Sequence, residues 1–222
     1  MADPIDISTP AGRLRARRDL VWGDHGFLRA RFRNLHRISP EMYRANQPSP
    51  EQIAVYASEF ELRTVINLRG ASPKGYYLLE KEACEAHGVA LVDFQVFSRD
   101  SPLRETVLAA RDLFDRIAYP ALMHCKSGAD RAGLMATLYM HFRGNQPIDE
   151  AREQLSLKYL HVREGKTGLL DFFFDAYLRE GQPAGLTFFD WVETVYDRDA
   201  VKQAFLKNWK AKLNIDRLLR RE

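Results

Sequence analysis

The sequence predicts an α/β fold: a central, mostly parallel sheet of four to five strands flanked by helices, followed by a helical C-terminal part. Three observations predict it. Short apolar runs alternate with amphipathic helical stretches between Met42 and Phe142, the pattern of strands joined by helical crossovers. Beyond Gly144 only helical periodicity continues. A chain of 222 residues with 45% apolar and 11% aromatic content can bury one well-formed core and is too apolar for extensive disorder.

Taken in order, residues 1–38 read as a basic N-terminal extension opened by Pro4, Pro10 and Gly12. Met42–Gln47 is a short strand stopped by Pro48 and Pro50, Glu51–Phe60 a helix, and Arg63–Leu68 a buried strand ending at Gly70. A helix over Tyr76–His87 closes at Gly88, and Ala90–Phe97 is the next strand. Ser101 is placed to cap a helix with Pro102 in its first turn, where Leu103, Val107, Ala110, Phe114 and Ile117 recur at helical spacing. After Pro120 come a strand, Ala121–His124, a glycine-bearing turn and a helix, Arg131–Phe142. Asp149–Leu160, Leu169–Arg179 and Ala200–Arg220 are further helices. The expected organisation is an extension over 1–38, a catalytic domain over 39–198 and a basic helix over 199–222.

The net charge of +3 is unevenly spread: residues 13–37 carry +6 and residues 202–222 carry +5, leaving −8 for the remainder. Both basic segments also hold bulky apolar side chains, including Trp22, Phe27, Leu28 and Phe32 in the first and Phe205, Trp209, Leu213 and Leu218 in the second. Such segments suit an anionic lipid surface; the plainer reading is a solvated face whose apolar side packs on the domain. Nucleic acid is not an expected partner, because no recognition module accompanies the charge. No apolar run is long enough to span a bilayer and residues 1–10 lack the pattern of a secretory signal. With Cys84 and Cys125 as the only cysteines, a disulfide framework is excluded. The expectation is a soluble, cytoplasmic chain, peripheral on the inner face of the membrane if the basic segments bind lipid.

The chemistry concentrates in ALMHCKSGADRAG, Ala121–Gly133. A cysteine closes a strand, five residues follow, and an arginine opens a helix. Gly128 permits a tight curl and Gly133 close helix packing. Backbone N–H groups of Lys126, Ser127, Gly128, Ala129, Asp130 and Arg131 would converge at a helix N-terminus, a cradle for a phosphate dianion. Arg131 can grip two phosphate oxygens with its planar fork. The same field favours the thiolate of Cys125, placed for in-line attack to give a phosphocysteine that water then cleaves. Amide dipoles and Arg131 would stabilise the equatorial oxygens, so neither a metal nor another cofactor is expected.

These residues resemble the cysteine-dependent phosphatases with an HCxxGxxR signature, in their compact dual-specificity form. The similarity runs from about Tyr43 to Tyr159 and includes the YRANQPSPEQ opening and the RTVINLR strand, which are similar to bacterial members. It implies a phosphomonoester hydrolase with Cys125 as nucleophile, Arg131 as phosphate clamp and His124 supporting the loop, a satisfied core histidine being the alternative. It also implies a general acid on a loop before the cysteine. Asp100, 25 residues before it in FSRDSP, is preferred; Asp93, 32 before it, lies within a strand-like run. Relatives commonly carry Ser or Thr where this chain has Ala132, which points to slow breakdown of the phosphoenzyme and leaves a phosphate-binding pseudophosphatase as an alternative. Lys126 after the cysteine is similar to lipid phosphatases of the phosphatase-and-tensin-homologue type, and Asp130 before the arginine to phosphoinositide phosphatases. Together with the basic segments they favour a phosphorylated lipid or polyol over a phosphoprotein, the substrate of a phosphotyrosine or dual-specificity enzyme. Sulfurtransferase chemistry fits less well, since Arg131 and the loop length favour phosphate.

Overall fold

The computed structural model describes residues 5–219. Residues up to Val96 together with Asp115–Ala136 form one compact unit; Phe97–Phe114 and the chain from Thr137 onward form a second.

The first unit is built on a five-stranded sheet in the order β1-β2-β5-β3-β4. Its strands are β1 (His36–Ser39), β2 (Met42–Asn46), β3 (Thr64–Asn67), β4 (Ala90–Asp93) and β5 (Ala121–Cys125). β1 pairs antiparallel with β2, and the other pairings are parallel. The expected mostly parallel α/β sheet is therefore present. β5 lies at its centre, hydrogen-bonded to β2 and β3, and all five of its residues are buried. Placing the cysteine strand centrally fixes the loop that leaves it.

Side chains alternate across the sheet. Ala45, Val65 and Leu122 join Ile53, Tyr56, Ala83 and Cys84 in one apolar cluster, supplied by α3 (Pro50–Glu59) and α4 (Gly75–Ala86). His124, two residues after Leu122, shares this face, and Cys125 takes the opposite one with Arg44 and Met123. α3 starts sharply because Ser49 and Gln52 form a reciprocal capping box.

The N-terminal segment carries more structure than the label of extension suggests. α1 (Pro10–Arg18) and the π-helical turn after it, Asp19–Gly23, pack Ala16 and Leu20 against Tyr76, Tyr77 and Leu79, and α2 (Gly26–Arg31) follows. β1 was also not expected, being a four-residue edge strand without alternation. β4 stops at Asp93 rather than Phe97 because β3 ends at Asn67; beyond it only Phe94 N–H to Asn67 O and Val96 N–H to Leu68 O continue the contact.

In the second unit α5 (Arg104–Arg116) begins later than expected. Leu103 O accepts the first helical bond from Val107 N–H, and Ser101 serves instead as partner to the Tyr196 hydroxyl at 2.9 Å. α6 (Asp130–Phe142) starts in the first unit and ends in this one. The expected helix over Asp149–Leu160 breaks into α7 (Ile148–Ala151) and two 3₁₀ turns, ending at Leu160 with a φ of 65°. α8 (Leu169–Ala176), α9 (Phe188–Thr194) and α10 (Arg198–Leu219) complete it. Phe173, Phe174, Phe188, Trp191 and Tyr196 form its aromatic core. α10 packs through Val201 and Phe205, the latter edge-on to Phe172 at 5.8 Å. Over its described part this basic helix is thus tied to the second unit by Val201 and Phe205. Arg220 of the expected helix lies outside the described residues.

Candidate active site

Cys125 ends β5, buried, and the chain turns at once through Lys126–Ala129 into α6. Gly128 adopts a φ of +74°, and a Cβ there would lie 2.7 Å from Ala45 C and Asn46 N. Only glycine both takes this conformation cheaply and lets the loop press onto β2.

The loop's carbonyls are taken from outside. Lys126 O accepts from Gln47 N–H at 3.4 Å, and Ser127 O from Asn34 Nδ2 at 3.0 Å. Arg44 Nη2 donates to Gly128 O at 2.8 Å and Ala129 O at 2.9 Å. In a trans peptide the N–H points opposite the preceding C=O, so amides 127–130 turn the other way, as an anion cradle requires. Gly128 N–H already points at Cys125 Sγ, 3.2 Å away. Arg131, the second residue of α6, is half-buried, and Asp130 opens the helix. Ser127 Oγ is committed within the loop, accepting Ala129 N–H at 3.4 Å, and Ala132 and Thr137 are fully buried.

Arg44 escaped the sequence reading. It is fully buried at a strand position where an apolar residue is the ordinary occupant, and a lone charge inside a buried strand was the available signal. Glu80 was also missed. His124 faces away from Cys125, with Nε2 2.6 Å from Glu80 Oε1 of α4, both side chains wholly buried. His124 is thus a paired core residue beneath the loop.

Asp93 sits on the α4 face of the sheet. Its Oδ2 accepts the Tyr77 hydroxyl at 2.6 Å and its Oδ1 the Asn67 amide at 2.8 Å; burial first, then this bond and the Asp93 charge push the Tyr77 phenol up. Asp100 belongs to the second unit, where Arg198 Nη2 lies 2.6 Å from Oδ2 and Lys202 Nζ 3.0 Å from Oδ1, with Ser101 N–H also on Oδ1. Burial raises its carboxyl, but the Lys202 and Ser101 hydrogen bonds and the two cations outweigh that and hold it below the usual range.

Lys126, half-exposed, lies 3.5 Å from Asp24 Oδ1 and 3.4 Å from His25 Nδ1. Asp24 is buried and takes a bidentate grip from Arg69, at 2.7 Å for each oxygen, and Arg29 Nη2 at 2.7 Å. Burial raises its carboxyl; the Arg69 hydrogen bond and the charges of Arg69, Arg29 and Lys126 win and hold it low. Cys84 is a buried thiol on α4, pushed up to about 12 by burial and by Glu80 and Glu85. Among the described residues no group of three or more His, Cys, Asp or Glu could hold a metal ion, and no helix is long and apolar enough to cross a membrane.

Fold and loop together define a class: the chain has the α/β fold and the signature loop of the cysteine-dependent phosphatases, the resemblance seen in its sequence. No family model matches. Among particular proteins, it is similar to the dual specificity protein phosphatase TpbA of Pseudomonas aeruginosa, 29% identical over 109 residues, 48% of this chain. That stretch is 45% of the relative, so the match spans less than half its length. The crystal structure of P. aeruginosa TpbA superposes with a TM-score of 0.52 at 19% identity, covering 78% of this chain and 90% of that one. A TpbA variant in complex with phosphotyrosine gives 0.53 over 72% and 87%, also at 19% identity. The crystal structure of PTPMT1 gives 0.50 at 16% identity, over 67% and 99%. At such identities these structures establish the fold.

Proposed function

We propose that this chain is a metal-independent phosphomonoester hydrolase working through a phosphocysteine on Cys125. The observation that carries this reading is the curl of residues 125–129, with Gly128 N–H on Cys125 Sγ and four successive carbonyls drawn outward. A phosphate dianion seated there accepts amide N–H bonds, Arg131 clamps it, and the sulfur attacks phosphorus opposite the leaving oxygen. The P–O bond to the alcohol or phenol breaks and its oxygen takes a proton from the general acid; water, giving a proton back to that carboxylate, then attacks phosphorus, the P–S bond breaks, and inorganic phosphate and the Cys125 thiolate are released.

Asp100 is the general acid in this reading. Asp93 shares its sheet face with His124 rather than Cys125 and is engaged by Tyr77, which supports the choice. Asp100 must leave Arg198 and Lys202 to carry a proton at neutral pH, so substrate binding and release of this ion pair go together. Asp100→Asn should slow alkyl phosphate hydrolysis by about 10²–10⁴-fold and an activated aryl ester far less; an unaltered profile moves the role to Asp93.

A phosphorylated lipid or polyol at a membrane surface is the favoured substrate class, supported by Lys126 at the loop's rim and by the basic, aromatic N-terminal segment beside it. A phosphotyrosine or dual-specificity phosphatase is the second reading, favoured by the phosphotyrosine complex of a TpbA variant. Phosphate release from a panel of phospholipids and phosphotyrosyl peptides separates them: activity confined to peptides selects the second. Cys125→Ser should abolish both. Phosphate-dependent binding without turnover in the wild type would identify a pseudophosphatase.

A further inference from the structure

Residues 19–34 form a strap with two unlike sides. Its inner side is polar and fastened to α4 and to the loop: Asp19 Oδ2 accepts Gly75 N–H of α4 at 2.8 Å, Asp24 binds Arg69 and Arg29 and lies near Lys126, and Asn34 donates to Ser127 O. Both acidic residues of the strap are therefore consumed inward. Its outer side is apolar and cationic. Trp22 is 67% exposed, Leu28 59%, Phe32 57% and Phe27 43%. Leu28 and Phe32, four residues apart and joined by Phe32 N–H to Leu28 O, lie on one side of the turn. The Trp22 and Phe27 rings lie tilted at 36° with centroids 5.3 Å apart. Arg18, just before the strap, and Arg31, within it, are exposed.

We propose that this outer side docks on an anionic lipid bilayer and so brings the phosphate loop to the membrane. The partner follows from the chemistry: aromatic rings with a polar edge settle at the headgroup level, and cations around them are drawn to a negatively charged leaflet. A monomeric soluble domain rarely leaves such apolar side chains grouped and bare. The basic C-terminal helix is no competitor over its described part, because Val201 and Phe205 are buried within the second unit. The inference deepens the lipid-phosphate reading, and only its functional consequence rests on that reading.

The test uses the full chain with vesicles of phosphatidylcholine alone or with one third phosphatidylglycerol, read by co-sedimentation and by tryptophan emission. The wild type should sediment with the anionic vesicles, less so as salt is raised. The triple variant Trp22→Ala, Leu28→Ala, Phe32→Ala and the charge reversal Arg18→Glu, Arg31→Glu should each lose about tenfold in binding, while hydrolysis of a soluble aryl phosphate stays within about twofold of wild type. If the triple variant fails to fold, the charge reversal carries the test alone. A wild type that ignores anionic vesicles, binds neutral ones equally well, or is matched in binding by the folded variants overturns the proposal. A wild type that docks but hydrolyses no aryl phosphate overturns the catalytic reading and leaves the docking surface standing.

Discussion

Glu80 of α4 and His124 of β5 meet at 2.6 Å in the core directly behind the candidate nucleophile, with neither side chain reaching solvent. A buried carboxylate is tolerated only with a partner. Removing one member, as in Glu80→Ala or His124→Ala, should cost roughly 3–5 kcal/mol, read as a lower urea midpoint at unchanged slope. Removing both should cost clearly less than the sum, since no unpaired group is left behind; simple additivity would show that the two do not interact.

Arg44 sets the direction of the loop's carbonyls through Gly128 O and Ala129 O. Arg44→Met keeps the stem and removes both bonds. Turnover should fall by about 10²-fold, the scale of a misplaced catalytic constellation, and affinity for vanadate should fall with it. Unchanged kinetics in the folded variant would show that the loop holds its curl without this residue.

Gly128→Ala places a Cβ 2.7 Å from backbone atoms of β2 at a φ of +74°. The strain, about 1–3 kcal/mol, cannot relax without opening the loop. Vanadate binding should be lost while the far-ultraviolet circular dichroism stays that of the wild type.

The two cysteines should differ sharply. Cys84, with a pKa raised to about 12 by burial, Glu80 and Glu85, stays a protonated thiol at neutral pH and should resist iodoacetamide until the protein unfolds. Cys125 should take a single label in the native protein, and vanadate should block it. Mass spectrometry of digested protein distinguishes the sites; native labelling of Cys84 would contradict a thiol held protonated beside Glu80 and Glu85.

The strap should respond to acid. The Asp24 carboxyl is held below its ordinary value, so its stabilisation is complete above the unfolded value of about 3.9 and is lost as pH falls through the lower native one. The part of the tryptophan emission that is lost in Trp22→Ala should therefore be flat from neutral pH down to about 4 and change below it. Asp24→Asn should show the released emission at every pH.

How far the sequence alone reached depends on the range of the interactions involved. The alternation of strands and helices, and the cysteine, glycine and arginine of the loop, were legible because each is set by neighbours: a strand end, a positive φ, a helix start. The closing Gly88 is of the same kind. The edge strand at His36–Ser39 was not legible, because its pairing with β2 rather than its own pattern makes it a strand. The break after Ala151 likewise has no proline or glycine to announce it.

The roles of Arg44, Glu80 and Asp24 came only with the tertiary structure. Arg44 and Gly128 are 84 residues apart in sequence, and Asp24 and Arg69 are 45 apart. A guanidinium or carboxylate in the sequence reads as surface charge until the fold shows which buried atom it satisfies. The sequence by itself determined that Cys125 closes a strand and begins a tight glycine-bearing turn ahead of a helix, since local backbone geometry demands those residues. Only the fold decided what holds that loop in shape and where the basic N-terminal segment lies, because long-range ion pairs form where chain topology brings charges together and desolvates them.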